Sequence, residues 1–533
     1  MIAAAMLTAS LSWVVSPSHS NRASSARHRR TAPHASTAAE QRTAAVVGGG
    51  PAGALTAIML ARRGWRVDLF ESLPAPPAAS DPVWGVGERS YQIGLNGRGQ
   101  KALRDFGCMD RVDRFAASVN GRLSFADGEP TATRFKPPGT PGAEKSYVTR
   151  VLQRDRLQSC LLEEVAEYDS ITVTHGVACV GLDLSGDRPA LELRPCAPVG
   201  SMAAPSPAAA DEPDECEVES EGTQVVEPFD LVVGADGVRS SVRDAVCAAS
   251  GSRTRTVRFA DTNERRYKTI PLHPDAVEGT DADLNWGYQN TSLGLGMDAL
   301  PTLEGQMVGV LLFKPESAVA KTVDALSDAA EARAFFADAM PPLLPYLRDD
   351  ELGRFSERPI SRLPSFQLVE GPIHRALPRG GVVLLGDAIK AVKPYFGQGA
   401  NSALEDVAVL RDCLDAASDE PSAAAAAFTD ARADDARALV RISRGFDGKG
   451  PLGTARFLVP LLLDIQLSKR LPWLFSPPML RALQDERNSF VGLVRKKRRE
   501  RLVLAALLAA AAVVGRVALR ATVRAVRRMA FGV

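Results

Sequence analysis

A chain of 533 residues, 45% hydrophobic and with a net charge of +1, can bury a sizeable core in two or three structural units. Its near-balanced charge gives no reason to expect a nucleic-acid partner. Seven cysteines without CxxC pairing and six histidines without metal-ligand spacing support neither a disulfide framework nor a metal site, so any redox chemistry needs an organic cofactor.

Residues 1–42 stand apart from the fold. They are rich in Ala and Ser, carry Arg22, Arg27, Arg29, Arg30 and Arg42, and hold no acid before Glu40. That composition fits an organelle transit peptide. The apolar run Ile2–Val15 is the mark of a secretory signal, although no cation precedes it, and a signal followed by a transit segment is a third possibility. The expectation is an organelle, with a plastid slightly ahead of a mitochondrion.

The stretch Ala44–Glu71, AAVVGGGPAGALTAIMLARRGWRVDLFE, reads as strand, glycine turn, helix and strand. Gly48 permits the tight turn, Gly50 lets backbone approach a pyrophosphate, and Gly53 lets helix and strand pack closely. Ala52–Arg63 has the length and apolar spacing of a helix, whose N-terminus favours phosphate. Glu71, at the end of the second strand, is placed for a ribose hydroxyl. The bland alternative is a glycine turn in an ordinary βαβ unit.

Beyond a Pro/Ala loop at Pro74–Pro82, Arg89–Leu95 alternates like a short strand and Arg98–Phe106 like a helix. A further helix carries Leu157, Leu161 and Leu162 at helical spacing, with Arg154 near its start. Cys196–Pro228 is low in complexity and then acidic, with seven acids in Asp211–Glu221, and reads as a solvated, disordered insertion. Phe229–Arg243 gives a buried strand ending at Gly234, then Asp236-Gly237. Arg266–Leu272, Leu284–Tyr288 and Met307–Phe313 suggest a separate antiparallel sheet over about 255–370, and Asp324–Met340 a helical piece.

In Gly381–Leu414, a buried strand ends at Gly386-Asp387, Pro394–Gln398 turns, and a helix starts at Gly399-Ala400. The tail is different. Leu452–Leu483 mixes apolar runs with prolines and reads as broken helix, within a helical region over 415–494. Arg495–Arg528 holds eleven Lys/Arg against Glu500 alone. Leu502–Gly515 is an uncharged apolar run, and Arg516, Arg520, Arg524 and Arg528 then fall on one broad helix face. Residues 495–533 are therefore expected to seek a membrane, as an anchor or an interfacial helix, with a helix packed within the protein as the third alternative.

The three glycine turns, GxGxxG, GADG and GDA…PxxGQGxN, resemble those of the FAD-dependent aromatic hydroxylases over about Ala44–Leu414. The resemblance implies an α/β (α+β overall) fold. It would be a Rossmann-like FAD-binding domain (parts about 43–125, 145–250 and 375–414) with an interleaved antiparallel β-sheet substrate domain and a C-terminal helical, membrane-seeking tail. It implies that FAD is held by Gly48, Gly50, Pro51, Ala52, Gly53, Glu71, Arg154, Asp236, Gly237, Gly386, Asp387, Pro394, Gly397, Gly399, Ala400 and Asn401. NADPH would be the co-substrate, and dioxygen would reach an aromatic ring through a flavin hydroperoxide, with no metal.

Within that family, ERSYQIGLNGRGQKAL and KPYFGQGANSALED are similar to the RSINLAL…RG and VPFFGQGMNAGFED patterns of the kynurenine 3-monooxygenases. By that likeness Arg89 would pair with an amino-acid carboxylate, and Asn401 and Glu405 would lie at the substrate–flavin boundary. A competing reading makes Ser402-x-x-Glu405 a capping box. Lys390 stands where the family has His, Ala400 where it has Met, and Tyr91-Gln92 where it has Ile-Asn. Two alternatives remain open: the same fold acting on a prenyl lipid, as epoxidase, quinone hydroxylase or reductase, or a membrane-tethered flavoprotein without turnover.

Overall fold

The computed structural model describes residues 41–531 except 86–90, 126–129, 142, 144, 199–215, 219–221, 262 and 449. The expected leader, Arg89 and most of the acidic insertion therefore lie outside the described residues. The chain divides into two compact units at Asp447/Gly448.

The first unit is built on a six-stranded sheet in the order His374–Ala376, Gly381–Leu384, Leu231–Gly234, Thr43–Val47, Arg66–Glu71, Ile171–His175. All pairings are parallel except that of the His374–Ala376 edge strand. The central strands are continuous runs such as Ala44–Val47 and Val382–Leu384, as expected of strands covered on both faces. The helix Pro51–Ala61 is buried from Gly53 to Ala61, so it is nearly all apolar, with Pro51 at its first turn. From Thr43–Val47 the chain winds outward to Arg66–Glu71 and Ile171–His175, then returns to the other side at Leu231–Gly234. The strand order reverses between Val47 and Gly234, where such sheets bind ligands.

A seven-stranded sheet runs Ser361–Arg362, Arg266–Leu272, Met307–Phe313, Leu295–Pro301, Asn285–Asn290, Gly121–Phe125, Thr131–Arg134. It is antiparallel except where Asn285–Asn290 runs parallel to Gly121–Phe125. One face carries Ile270, Leu272, Trp286, Met297, Leu311 and Phe313 into a core closed by the helices Ala329–Ala339 and Asp349–Glu357. The sheet thus reaches beyond the three runs expected, gaining Leu295–Pro301, the short edge strand Ser361–Arg362 and two strands from before residue 135. The helix Pro421–Phe446 also belongs to this unit.

Within the expected insertion 196–228, Cys216–Val218 pairs with the strand Ala190–Pro198, which corrects the reading of that stretch as disordered throughout. Cys196 is disulfide-bonded, which the scattered cysteine spacing did not suggest.

The second unit holds the helices Gly450–Arg470, Met479–Leu483 and Phe490–Phe531. Pro460 lies inside the first helix without ending it; the break comes at Leu471, ahead of Pro472, where a proline disfavours helical backbone. Lys497 Nζ reaches Asp464 Oδ2 at 3.2 Å and Glu500 Oε2 at 3.0 Å, so part of the basic run fastens the last helix to the first.

Candidate functional site

The crevice at the strand-order reversal is made by glycine. Gly48 has φ +97°, and a Cβ there would lie 2.5 Å from the Ala235 carbonyl oxygen of the second turn. A Cβ on Gly53 would lie 1.8 Å from the Gly48 carbonyl oxygen, so helix and turn touch as the fingerprint requires. At Gly50 a Cβ would meet nothing within 4 Å, and no side chain caps the helix that starts there. Tightness at Gly48 and Gly53 beside open space at Gly50 is the cradle a pyrophosphate needs. Glu71 accepts from Gly49 N at 2.7 Å and Leu73 N at 2.9 Å. It first holds the loop in shape; Oε1 also accepts from the Ser72 hydroxyl at 3.2 Å, so the lone pair left for a further donor is on Oε2.

The other two turns close on the same crevice. Asp236 Oδ2 accepts from Val242 N at 3.2 Å and from the Ser241 hydroxyl at 3.3 Å, while its Oδ1 is buried without a partner. Burial raises its pKa against the hydrogen bonds that lower it. Gly237 and Gly386 take positive φ, +75° and +58°. Asp387 is exposed, yet protein closes round it enough that desolvation raises its pKa, opposed by Lys390 and Arg154.

Arg154, the first residue of the helix Arg154–Val165, is 35% exposed, and its nearest ion-pair partner, Asp155, is 3.8 Å away. Burial lowers its pKa, but the Tyr91, Asp155, Asp387 and Glu71 groups outweigh that and raise it. Its backbone N–H donates to the Tyr91 carbonyl. A weakly paired cation facing Asp387 and Glu71 in a recess open to water fits an anionic cofactor.

Beneath the Gly386 turn lies a buried ionic network. Asp406 Oδ2 accepts from Gly386 N at 3.0 Å and Lys390 Nζ at 2.8 Å, and Asp406 Oδ1 from Arg432 Nε at 2.7 Å. Burial would raise the Asp406 pKa, but Arg432 and Lys390 hold it below the usual carboxylate range. Glu405 is bound by Arg98 at 2.6 Å and Arg432 at 3.2 Å.

Glu405 and Asn401, both expected at the substrate–flavin boundary, are held by protein partners. Glu405 spends its carboxylate on Arg98 and Arg432, and its capping-box alternative fails because the helix starts earlier, at Gly399. Asn401 is 1% exposed; its Oδ1 accepts from Asn96 N at 2.9 Å and its Nδ2 donates to the Gly94 and Gly397 carbonyls. Both residues therefore tie the helix Gly399–Ala416 to the strand Gln92–Leu95 and the helix Gly97–Asp105, instead of offering free polar atoms. The backbone ahead of them is open: Pro394 and Gly397 are exposed, Ala400 is half-buried, and a Cβ on Gly399 would meet nothing within 4 Å.

Arg122, not singled out in the sequence, lies on the face of the seven-stranded sheet opposite the apolar core, where a Cβ on its neighbour Gly287 would come within 2.0 Å of its guanidinium. It pairs with the exposed Asp298 at 3.0 Å. The signal available was its alternation with Leu123 and Phe125, which face the core. Among the described residues no His, Cys, Asp and Glu group could hold a metal. Burial pushes the Cys160 and Cys179 thiols up to about 12, so neither is a nucleophile at neutral pH.

A family model described as "FAD binding domain" matches residues 215–443. The kynurenine 3-monooxygenase of Xanthomonas campestris pv. campestris (strain 8004) is 31% identical over 451 residues, covering 83% of this chain and 87% of the relative. PqsL, a probable FAD-dependent monooxygenase from Pseudomonas aeruginosa, superposes with a TM-score of 0.53 at 20% identity, covering 79% of this chain and 99% of PqsL. The 2-methyl-3-hydroxypyridine-5-carboxylic acid oxygenase superposes with a TM-score of 0.53 at 19% identity, covering 86% and 98%.

Proposed function

On the premise that this chain belongs to the FAD-dependent aromatic hydroxylases, we propose that it hydroxylates an aromatic amino acid of the kynurenine type, with NADPH as reductant, at an organelle membrane. The observation that carries this reading is the likeness to kynurenine 3-monooxygenase over 87% of that enzyme's length. FAD, when bound, supplies the electron transfer and oxygen activation, for which side-chain acids and bases are no substitute.

The chain's own residues would hold and orient. The helix N-terminus behind Gly50, Pro51 and Ala52 would take the pyrophosphate, and Arg154 would add a cation to it. Glu71 would accept from a ribose hydroxyl. Asp236 and Asp387 would bind further cofactor hydroxyls. The helix starting at Gly399 would turn its positive end toward the ring. For the substrate carboxylate, Arg89 follows from the family likeness and Arg122 from its position on the sheet, and either offers the fork a carboxylate fits.

The test is to purify the flavin-loaded chain and follow NADPH consumption and product mass with and without L-kynurenine. Stimulated consumption and a product heavier by one oxygen are expected. Bound flavin without stimulation would reject this substrate and favour a prenyl lipid, a reading to which the apolar tail helix lends support.

A further inference from the structure

Asp447 follows the helix Pro421–Phe446, where its carboxylate meets the negative end of the helix dipole. Nothing local favours an acid there, yet it is 5% exposed. What holds it is distant in sequence. Lys393 Nζ, fully buried, donates to Asp447 Oδ2 at 2.9 Å, to Asp261 Oδ1 at 2.8 Å and to the Asn263 carbonyl at 3.1 Å. The Tyr395 hydroxyl donates to the second oxygen, Asp447 Oδ1, at 2.8 Å. Phe446 packs against the rings of both Tyr395 and Phe396, at 4.9 and 5.3 Å between centroids. Residues 393, 395 and 396 thus all bear on the last turn of one helix.

Those three residues bracket Pro394 and lead into Gly397, which takes the left-handed conformation at φ +59°. Two residues later the helix Gly399–Ala416 begins. We propose that Asp447 is a positioning residue: by gripping Lys393 and Tyr395 it sets the turn Pro394–Gly397, and with it the helix N-terminus presented to FAD. Asp447 lies beyond the stretch 215–443 matched by the family model, so that match assigns it nothing. Charge-assisted bonds to both oxygens give the carboxylate one orientation, which apolar packing alone would not define. The proposal rests on the FAD reading of this site.

The experiment compares the full chain with Asp447→Asn and Tyr395→Phe, by FAD titration of the apoprotein and by hydrogen exchange of peptides spanning 394–401. Asp447→Asn is expected to weaken FAD by about tenfold and to speed exchange in that segment, while the strands of the six-stranded sheet keep wild-type rates. Tyr395→Phe, which deletes one hydroxyl and keeps the ring, is expected to give about a threefold loss in the same direction. It carries the test should Asp447→Asn not fold. Wild-type affinity and exchange in the variants would overturn the proposal. So would a uniform rise in exchange across the unit, since that marks support of the fold alone. Failure of the wild-type chain to bind FAD would instead sink the cofactor reading.

Discussion

Lys390 and Asp406 form a buried ion pair, Nζ to Oδ2 at 2.8 Å, on the same oxygen that accepts the Gly386 N–H. Lys390 is one of the residues that depart from the family pattern, and this contact gives it a role: the lysine is a counter-ion under the glycine turn. Removing one partner of such a pair leaves a buried charge short of compensation, which typically costs about 3–5 kcal/mol. Lys390→Met is expected near the lower end, because Arg432 still holds Asp406. Chemical denaturation of the apoprotein checks it, and full wild-type stability would contradict the network.

The same network predicts an acid limb. The folded-state pKa of Asp406 lies below its ordinary value. Its contribution to stability is therefore present above about pH 4, the unfolded carboxylate value, and is lost as pH falls through the folded one. Asp236 and Asp387 have raised folded values and carry the opposite sign, losing stability as pH rises through that interval. Asp406→Asn should flatten the loss of stability below pH 4, read from melting midpoints between pH 3 and 6. An unchanged slope would count against Asp406 as the group responsible.

Gly50 and Gly53 separate folding from binding. A Cβ at Gly53 collides with backbone, whereas at Gly50 it enters open space. Gly53→Ala is expected to prevent a folded apoprotein. Gly50→Ala should fold with a loss of at most about 1 kcal/mol, for the poorer helix cap. Its FAD affinity should nonetheless fall about tenfold or more, because the methyl occupies the phosphate's space. Fluorescence titration with FAD measures this, and wild-type affinity in Gly50→Ala would remove the phosphate from that turn.

How much of this was legible follows from sequence distance. Each glycine turn is one contiguous stretch whose strand, turn and helix signals reinforce one another, so all three were visible. The bonds of Asn401 to Gly94 and Asn96 and of Glu405 to Arg98 were not legible because these partners lie 305 to 307 positions away, and nothing local marks an amide or carboxylate as already bonded. The strand Leu295–Pro301 escaped notice because Gly296, Asp298 and Pro301 are poor strand formers; its ladders to Asn285–Asn290 and Met307–Phe313 impose the conformation. Glu71, expected at a ribose, was placed correctly at the strand end, but its bond to Gly49 needed the folded loop.

On the proposed reading, Arg122 and Arg89 are the two candidates for the substrate carboxylate. Losing a bidentate contact to a charged group typically costs about 1.5–3 kcal/mol, or roughly 10- to 150-fold in binding. Replacing the responsible arginine by methionine should raise KM for L-kynurenine by that factor and leave FAD affinity unchanged. Arg122→Met is expected to show this, because Asp298 is exposed and free to swing aside. If Arg89→Met alone raises KM, the carboxylate belongs to Arg89; if either variant instead loses FAD, that arginine serves the cofactor.

The tail helix Phe490–Phe531 carries exposed Leu502, Leu508, Val513, Val514, Val517 and Leu519. Leu502–Leu519 would extend about 27 Å at ~1.5 Å per residue, close to the ~30 Å hydrocarbon thickness of a bilayer. Its one charge, Arg516, lies near the end, where a long side chain can reach the interface. Arg498, Arg499 and Arg501 flank one side, and Arg520 and Arg524 the other. A spanning helix stays in the membrane at high salt, whereas binding through basic residues is screened once the Debye length falls to about 3 Å at 1 M. The full chain should therefore remain with anionic phospholipid vesicles in 1 M NaCl. A version ending at Arg501, which keeps Lys497 bound to Asp464 and Glu500, should be released. Release of the full chain by salt would reduce the helix to an interfacial one.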